Sequence, residues 1–159
     1  MKSLQSKIYE SGLNEGFYKN AGGTIAHPST KEELKREIKI RLDRGQTNLN
    51  DIDTSKITNM NSLFSDFSKY DLSNIDISKW DVSNVKYMNT MFYGCTNFNS
   101  DLSKWDVSNV EYMNSMFYGC KNFNCDLSKW DTSKVEYMNG MFLNSGIKNR
   151  PKWYEDFNS

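Results

Sequence analysis

Apolar side chains recur along this chain every two or three positions, and the whole pattern repeats after 25 residues. Leu102-Ser103-Lys104-Trp105-Asp106-Val107-Ser108-Asn109-Val110 returns as Leu127-Ser128-Lys129-Trp130-Asp131-Thr132-Ser133-Lys134-Val135, and the same frame opens at Ser78-Lys79-Trp80-Asp81. Downstream positions keep step: Met88, Met113 and Met138; Phe92, Phe117 and Phe142; Cys95 and Cys120; Phe98 and Phe123. A single amphipathic helix would need a sustained i, i+3, i+4, i+7 rhythm and a long strand strict alternation, and neither holds across the period. Trp105-Asp106-Val107 alternates locally, which predicts a very short strand with Trp and Val inward, whereas Val110 to Cys120 predicts a helical or 3₁₀ turn.

A degenerate earlier copy runs through Ile52-Asp53-Thr54-Ser55-Lys56-Ile57, Met60 and Leu63-Phe64, with Ile52 lying 28 residues before Trp80. The extra residues must bulge between Ser65 and Ile75. At the far end Ser145 occupies the cysteine position, and the copy gives way to Gly146-Ile147-Lys148-Asn149-Arg150-Pro151-Lys152-Trp153-Tyr154, read as a lid over the last apolar layer. A strand plus one helical turn in each period predicts an α/β repeat solenoid, leucine-rich-repeat-like, in which no copy folds without its neighbours.

Before the repeats, Ser29-Thr30-Lys31-Glu32-Glu33 holds two overlapping capping boxes, and Leu34, Ile38 and Leu42 form one apolar stripe that Arg44-Gly45 ends. This predicts an N-terminal capping helix over the first copy. Residues 2–18 offer a second, weaker helical pattern through Leu4 and Ile8. The organisation expected is a tail or short helix over 1–23, a capping helix within 24–49, about four coils over 50–145 and a C-terminal cap over 146–159.

Twenty basic and twenty acidic residues leave no net charge, so composition argues against nucleic acid as a partner. No apolar run is long enough for a membrane span, and Met1-Lys2-Ser3-Leu4-Gln5-Ser6-Lys7 lacks the apolar stretch of a secretory signal, which predicts a cytoplasmic protein. Three cysteines, Cys95, Cys120 and Cys125, do not close a disulfide framework, and reduced thiols are expected. His27 is the sole histidine, and no phosphate loop or nucleophile elbow is present, so no catalytic residue, no metal ligand and no cofactor are expected.

What remains is a set of equivalent outward positions. Stacked copies would carry Lys79, Lys104 and Lys129 in one row, Asp81, Asp106 and Asp131 in a second, and Tyr87, Tyr112 and Tyr137 in a third. These are the candidate partner-binding residues, with another protein as the partner. The Asp-x-Ser pattern leaves a second role open for the aspartates, capping the turn that follows. The tyrosines could equally pack flat between copies instead of serving as binding anchors.

On the Leu-Ser-Lys-Trp-Asp-Val-Ser-Asn-Val frame with its trailing Met, Met-Phe and Cys, the chain resembles the BspA-like leucine-rich-repeat surface proteins. The branch it resembles is the one abundant in mycoplasma lipoproteins and gut bacteria, and the match extends over about residues 24–155. The resemblance implies adhesion or protein binding and brings no catalytic residues. Surface members carry a signal peptide or a lipid-attachment cysteine, which the start of this sequence does not show. The Met-Lys-Ser-Leu opening is similar to those of small proteins of gut bacteria and their phages, which implies a phage- or mobile-element-encoded binder of a host protein. The alternative is a structural, adhesion or virion-associated component that assembles through the edges of its coils.

Overall fold

The computed structural model describes residues 26–157. Among them are two α-helices, α1 (Lys31–Asp43) and α2 (Lys152–Phe157), and one 3₁₀ turn, Ser65–Phe67. The expected α/β repeat solenoid, with its leucine-rich-repeat-like strand and helical turn in each coil, is not what the chain forms. No strand occurs among the described residues, and most of the backbone is turn or coil. Segment-to-segment pairing is limited to isolated parallel bridges: Ala26 with Ile52, Asn48 with Asp76, and Asn59, Tyr87, Tyr112 and Tyr137 in succession. The weaker helix expected over 2–18 lies outside the described residues.

The short strand fails for a local reason. Each Trp-Asp-Val aspartate turns its carboxylate back on its own chain, Asp81 accepting from the Ser83 N–H at 3.0 Å, Asp106 from Ser108 at 3.1 Å and Asp131 from Ser133 at 3.0 Å. An aspartate bonded two residues ahead curls the backbone where a strand would have to run straight. Four-residue β-turns flank it, with Trp105 N–H on Leu102 C=O at 3.1 Å and Val110 N–H on Val107 C=O at 2.9 Å. The predicted helical turn fails as well, because a left-handed residue interrupts each copy: Thr90 at φ 53°, Ser115 at 52° and Gly140 at 64°. A single residue of that conformation ends a right-handed helix and a pleated strand alike.

Consecutive segments nevertheless lie against one another in layers. Met88, Thr90, Phe92 and Gly94 donate their N–H groups to the carbonyls of Tyr112, Asn114, Met116 and Tyr118 at 2.8–3.0 Å, and Met113, Ser115, Phe117 and Gly119 repeat this onto the next segment. Phe64, Phe92, Phe117 and Phe142 stack in a column with ring centroids 5.2, 5.4 and 5.8 Å apart. Trp80, Trp105 and Trp130 are buried, and each indole donates to a carbonyl of the preceding layer, Leu49, Ile77 and Leu102, at 2.9–3.1 Å. The extra residues of the first copy form the Ser65–Phe67 turn, whose Phe67 packs edge-on to Phe64.

Helix α1 starts where its capping residues stand: Thr30 Oγ1 accepts the Glu33 N–H, and Ser29 donates to the Glu33 carboxylate. Leu34 and Ile38 are fully buried. Beside them the buried Arg41 bonds Glu37 at 2.7 Å and grips both oxygens of Asp51 at 2.7 and 2.5 Å, tying the helix to the first layer through a paired charge. At the other end Trp153 donates to Leu127 C=O at 2.9 Å, extending the indole series from a helix, and Tyr154 stands edge-on to Phe142 with centroids 4.9 Å apart. The entry to this cap is tight, since a β-carbon on Gly146 would sit 2.0 Å from the Lys121 carbonyl oxygen.

Three outcomes follow from this packing. Trp105→Ala is expected to lower the unfolding free energy by about 3–5 kcal/mol in a denaturant titration, by emptying an inner layer. Gly146→Ala is expected to cost about 1–3 kcal/mol, with a shift of Trp153 fluorescence as the cap is displaced. In acid, Asp53 sits well below the ordinary carboxylate range, at about 2, through the Ser55 hydroxyl and then His27, and Asp76, Asp101 and Asp106 are lowered by hydroxyl or amide donors and by turn N–H groups. Carboxyls lowered on folding stabilise the fold above their unfolded value, about 4, and that contribution is lost as pH falls from there towards about 2. Asp106→Asn, which keeps the turn's oxygen acceptor, should melt like the parent at pH 7 and lose less stability at pH 3.

Candidate functional site

Four of the five exposed large apolar side chains among the described residues, Tyr87, Tyr93, Tyr137 and Leu143, lie on the face built by the stretch running from Tyr87 to Tyr93 and its copies. Met88, Met91 and Phe92 point into the core, so the intervening Tyr87, Asn89, Thr90 and Tyr93 are left towards solvent. The left-handed residue at Thr90 makes this possible, because it reverses the chain within a few residues and lets two tyrosines flank one turn. In the next copies the set becomes Tyr112, Asn114, Ser115 and Tyr118, then Tyr137, Asn139, Gly140 and Leu143.

The expected tyrosine row is brought together. Tyr87 and Tyr112 stack at 5.2 Å and Tyr112 and Tyr137 at 5.3 Å, nearly parallel. The rings pack face to face between layers while Tyr87 and Tyr137 stay 37% and 47% exposed. A second row went unrecognised in the sequence: Tyr93 and Tyr118 stack at 4.7 Å with Leu143 next in register, and Tyr93 is 44% and Leu143 52% exposed. The Tyr-Gly pairs 93–94 and 118–119 recur at the 25-residue period and were the available signal.

Between the rows runs an asparagine ladder. Asn61 Oδ1 accepts the Asn89 N–H at 2.8 Å, Asn89 Oδ1 that of Asn114 at 2.9 Å and Asn114 Oδ1 that of Asn139 at 2.9 Å. Lys86 bridges to Glu111 at 3.1 Å beside the first two tyrosines. Tyr112 has its hydroxyl pKa raised chiefly by the neighbouring Glu136 carboxylate, so it stays a protonated donor.

The other candidate rows have different surroundings. Lys79, Lys104 and Lys129 are exposed and make no ion pair among the described residues. Asp81, Asp106 and Asp131 are exposed too, but their carboxylates hold the Asx turns described above; Asp106 and Asp131 are drawn below the usual range by their Ser108 and Ser133 partners. No hydrogen bond joins either row to the tyrosines among the described residues. The aspartates therefore serve the backbone in every copy, and Lys79, Lys104 and Lys129 lie near Asp76, Asp101 and Asp126, whose carboxyls they help to lower.

The thiols offer little chemistry. Cys95 and Cys120 are free and buried, Cys120 directing its Sγ at the Phe92 carbonyl 2.9 Å away. Burial pushes Cys95 up to about 12 and Cys120 further, and it lifts the half-buried Cys125 to about 11. Thiols held protonated are poor nucleophiles. Among the described residues no three His, Cys, Asp or Glu side chains stand close enough to hold a metal ion, and no helix is long and apolar enough to cross a membrane. A groove between α1 and the Ser65–Phe67 turn is lined by Lys35, Arg36, Lys39, Asp66, Phe67 and Tyr70, with Lys35 paired to Asp66 across it and Lys39 paired to Asp43 along α1.

Neither a curated protein nor a solved structure matches the chain. A family model does, over residues 35–153, which spans the second half of the capping segment, every layer and the start of the C-terminal cap. The chain belongs to the family described as "Mycoplasma protein of unknown function, DUF285".

Proposed function

We propose that the protein is a non-catalytic protein-protein interaction module whose binding face is the pair of tyrosine rows and the asparagine ladder between them. One observation carries this reading: in two parallel tyrosine rows stacked at 4.7–5.3 Å, Tyr87, Tyr93 and Tyr137 are exposed and Tyr112 and Tyr118 half-buried, whereas the phenylalanine and tryptophan rings of the same copies are buried. Rings already fixed by their neighbours lose little side-chain freedom on binding, and tyrosine is among the residues most used as an interface anchor. The Lys79, Lys104 and Lys129 row supplies exposed cations for an acidic rim on the partner. Asp81, Asp106 and Asp131 contribute through the turns they hold.

The resemblance to BspA-like surface proteins points the same way, to protein binding or adhesion, and we place the chain near that branch. The unreactive thiols support a role without covalent chemistry.

Affinity capture from the native host, with the wild type beside a Tyr87→Ala/Tyr112→Ala/Tyr137→Ala variant, tests the reading. Truncating anchors of this kind costs about 2 kcal/mol or more each, so partner recovery should fall at least about tenfold, while Lys121→Ala leaves it unchanged. Equal recovery by the triple variant and the wild type removes the tyrosine face.

A further inference from the structure

On the tyrosine side the interlayer hydrogen bonds of the Met60 and Ser62 positions and their copies all run forward, while Lys86, Glu111 and Glu136 donate back to Thr58, Lys86 and Glu111. Met60, Ser62 and Phe64 donate to Tyr87, Asn89 and Met91, and the same alternate positions donate forward in the next two layers. The last layer has the donors and no layer to receive them. Among the described residues the N–H groups of Met138, Gly140 and Phe142 meet no acceptor, and the Asn139 side-chain oxygen that would continue the ladder meets no donor. The C-terminal cap does not close this edge, because Gly146, Lys148 and Trp153 pair with Cys120, Asn124 and Leu127 on the tryptophan side. Asn139 and Asn144 are exposed there and Gly140 is half-buried.

At the opposite end the first layer has the matching shortage. Asn59 and Asn61 occupy the places of Tyr87 and Asn89, yet their carbonyls receive no N–H among the described residues. Both residues are partly exposed. Helix α1 packs over the apolar part of this layer through Leu34 and Ile38 and is pinned towards Asp66 and Tyr70. At these alternate positions the molecule thus presents backbone donors on one end and backbone acceptors on the other, as the two ends of a helix do.

We infer that the edge Met138–Asn144 docks a second copy of this chain through its Asn59–Asn61 edge, so that copies associate head to tail. The second copy is favoured over an unrelated peptide because a receiving segment must keep its carbonyls in register across a left-handed residue, and Ser62, at φ 56°, supplies that next to Asn61. Paired in this way, Met138 donates to Asn59 and Gly140 to Asn61, repeating the bonds that Met60 and Ser62 make to Tyr87 and Asn89. Such a contact uses a different patch on each copy and leaves a free edge at each end of a pair, to which further copies add. An unpaired backbone edge is the kind of surface that recruits another chain. This contact lies at the ends of the stack and is read independently of partner capture by the tyrosine face.

Sedimentation or light scattering over a range of protein concentrations tests it, using the full chain and two single variants at exposed side chains, Thr58→Arg at the acceptor edge and Asn139→Arg at the donor edge. The expected result is a wild-type mass that rises above the single-chain 18.5 kDa with concentration. Each variant alone should stay at one chain, and their equimolar mixture should stop at two, since one intact edge of each kind remains. A wild type that stays at one chain throughout, variants that associate like the wild type, or a mixture that forms no pairs each overturn the proposal. Thermal melts matching the wild type establish that the variants fold, and Thr58→Glu with Asn139→Glu replaces the set if either arginine does not.

Discussion

Layer-to-layer hydrogen bonding by the backbone is the constraint on which the rest of this structure rests. With no strand and only two α-helices among the described residues, the polar groups of a 25-residue segment cannot be satisfied within the segment. They are satisfied by the next one, at alternate residues from Met88 to Gly94 and again from Met113 to Gly119. Buried backbone groups left without partners would cost far more than any turn could return, so the copies must stack in one register. The phenylalanine column and the indole-to-carbonyl bonds then fill and pin the interior that the backbone has defined.

The side chains at the turns can be understood as substitutes for missing backbone partners. Asn89, Asn114 and Asn139 each have the N–H taken by an asparagine carbonyl of the layer before, which is why asparagine recurs where a bulkier residue would serve packing better. The aspartates of Trp-Asp-Val hold the following serine N–H, and no buried side-chain nitrogen or oxygen among the described residues lacks a partner. Polar residues in this fold are therefore mostly structural. The tyrosines differ because their hydroxyl ends are not needed by the backbone, and their exposure is the feature that packing alone does not account for.

Both ends show how a stacked interior is closed. At the N-terminal end an ordinary amphipathic helix lays Leu34 and Ile38 on the first layer, and Arg41 fastens it to Asp51. At the C-terminal end Trp153 reaches Leu127 from helix α2, standing in for the next copy on the tryptophan side alone. The difference leaves one edge of backbone donors uncovered beside Tyr137.

The sequence by itself determined the period, the inward residues and the caps. Trp105, Phe117 and Met113 repeat at fixed spacing and are buried, and the Thr30 cap and Gly45 stop bracket α1 because both signals are local chemistry. It did not determine the backbone path within a copy. Alternation at Trp105-Asp106-Val107 reads as a strand, and only the structure shows the Asp106 carboxylate curling onto Ser108, a competition between side chain and neighbour that periodicity does not register. Left-handed φ at Thr90 and Ser115 was equally hidden, since neither residue favours it and layer contacts impose it. The second tyrosine row and the uncovered donors of the last layer depend on which groups face which across 25 residues, and that is decided by tertiary stacking.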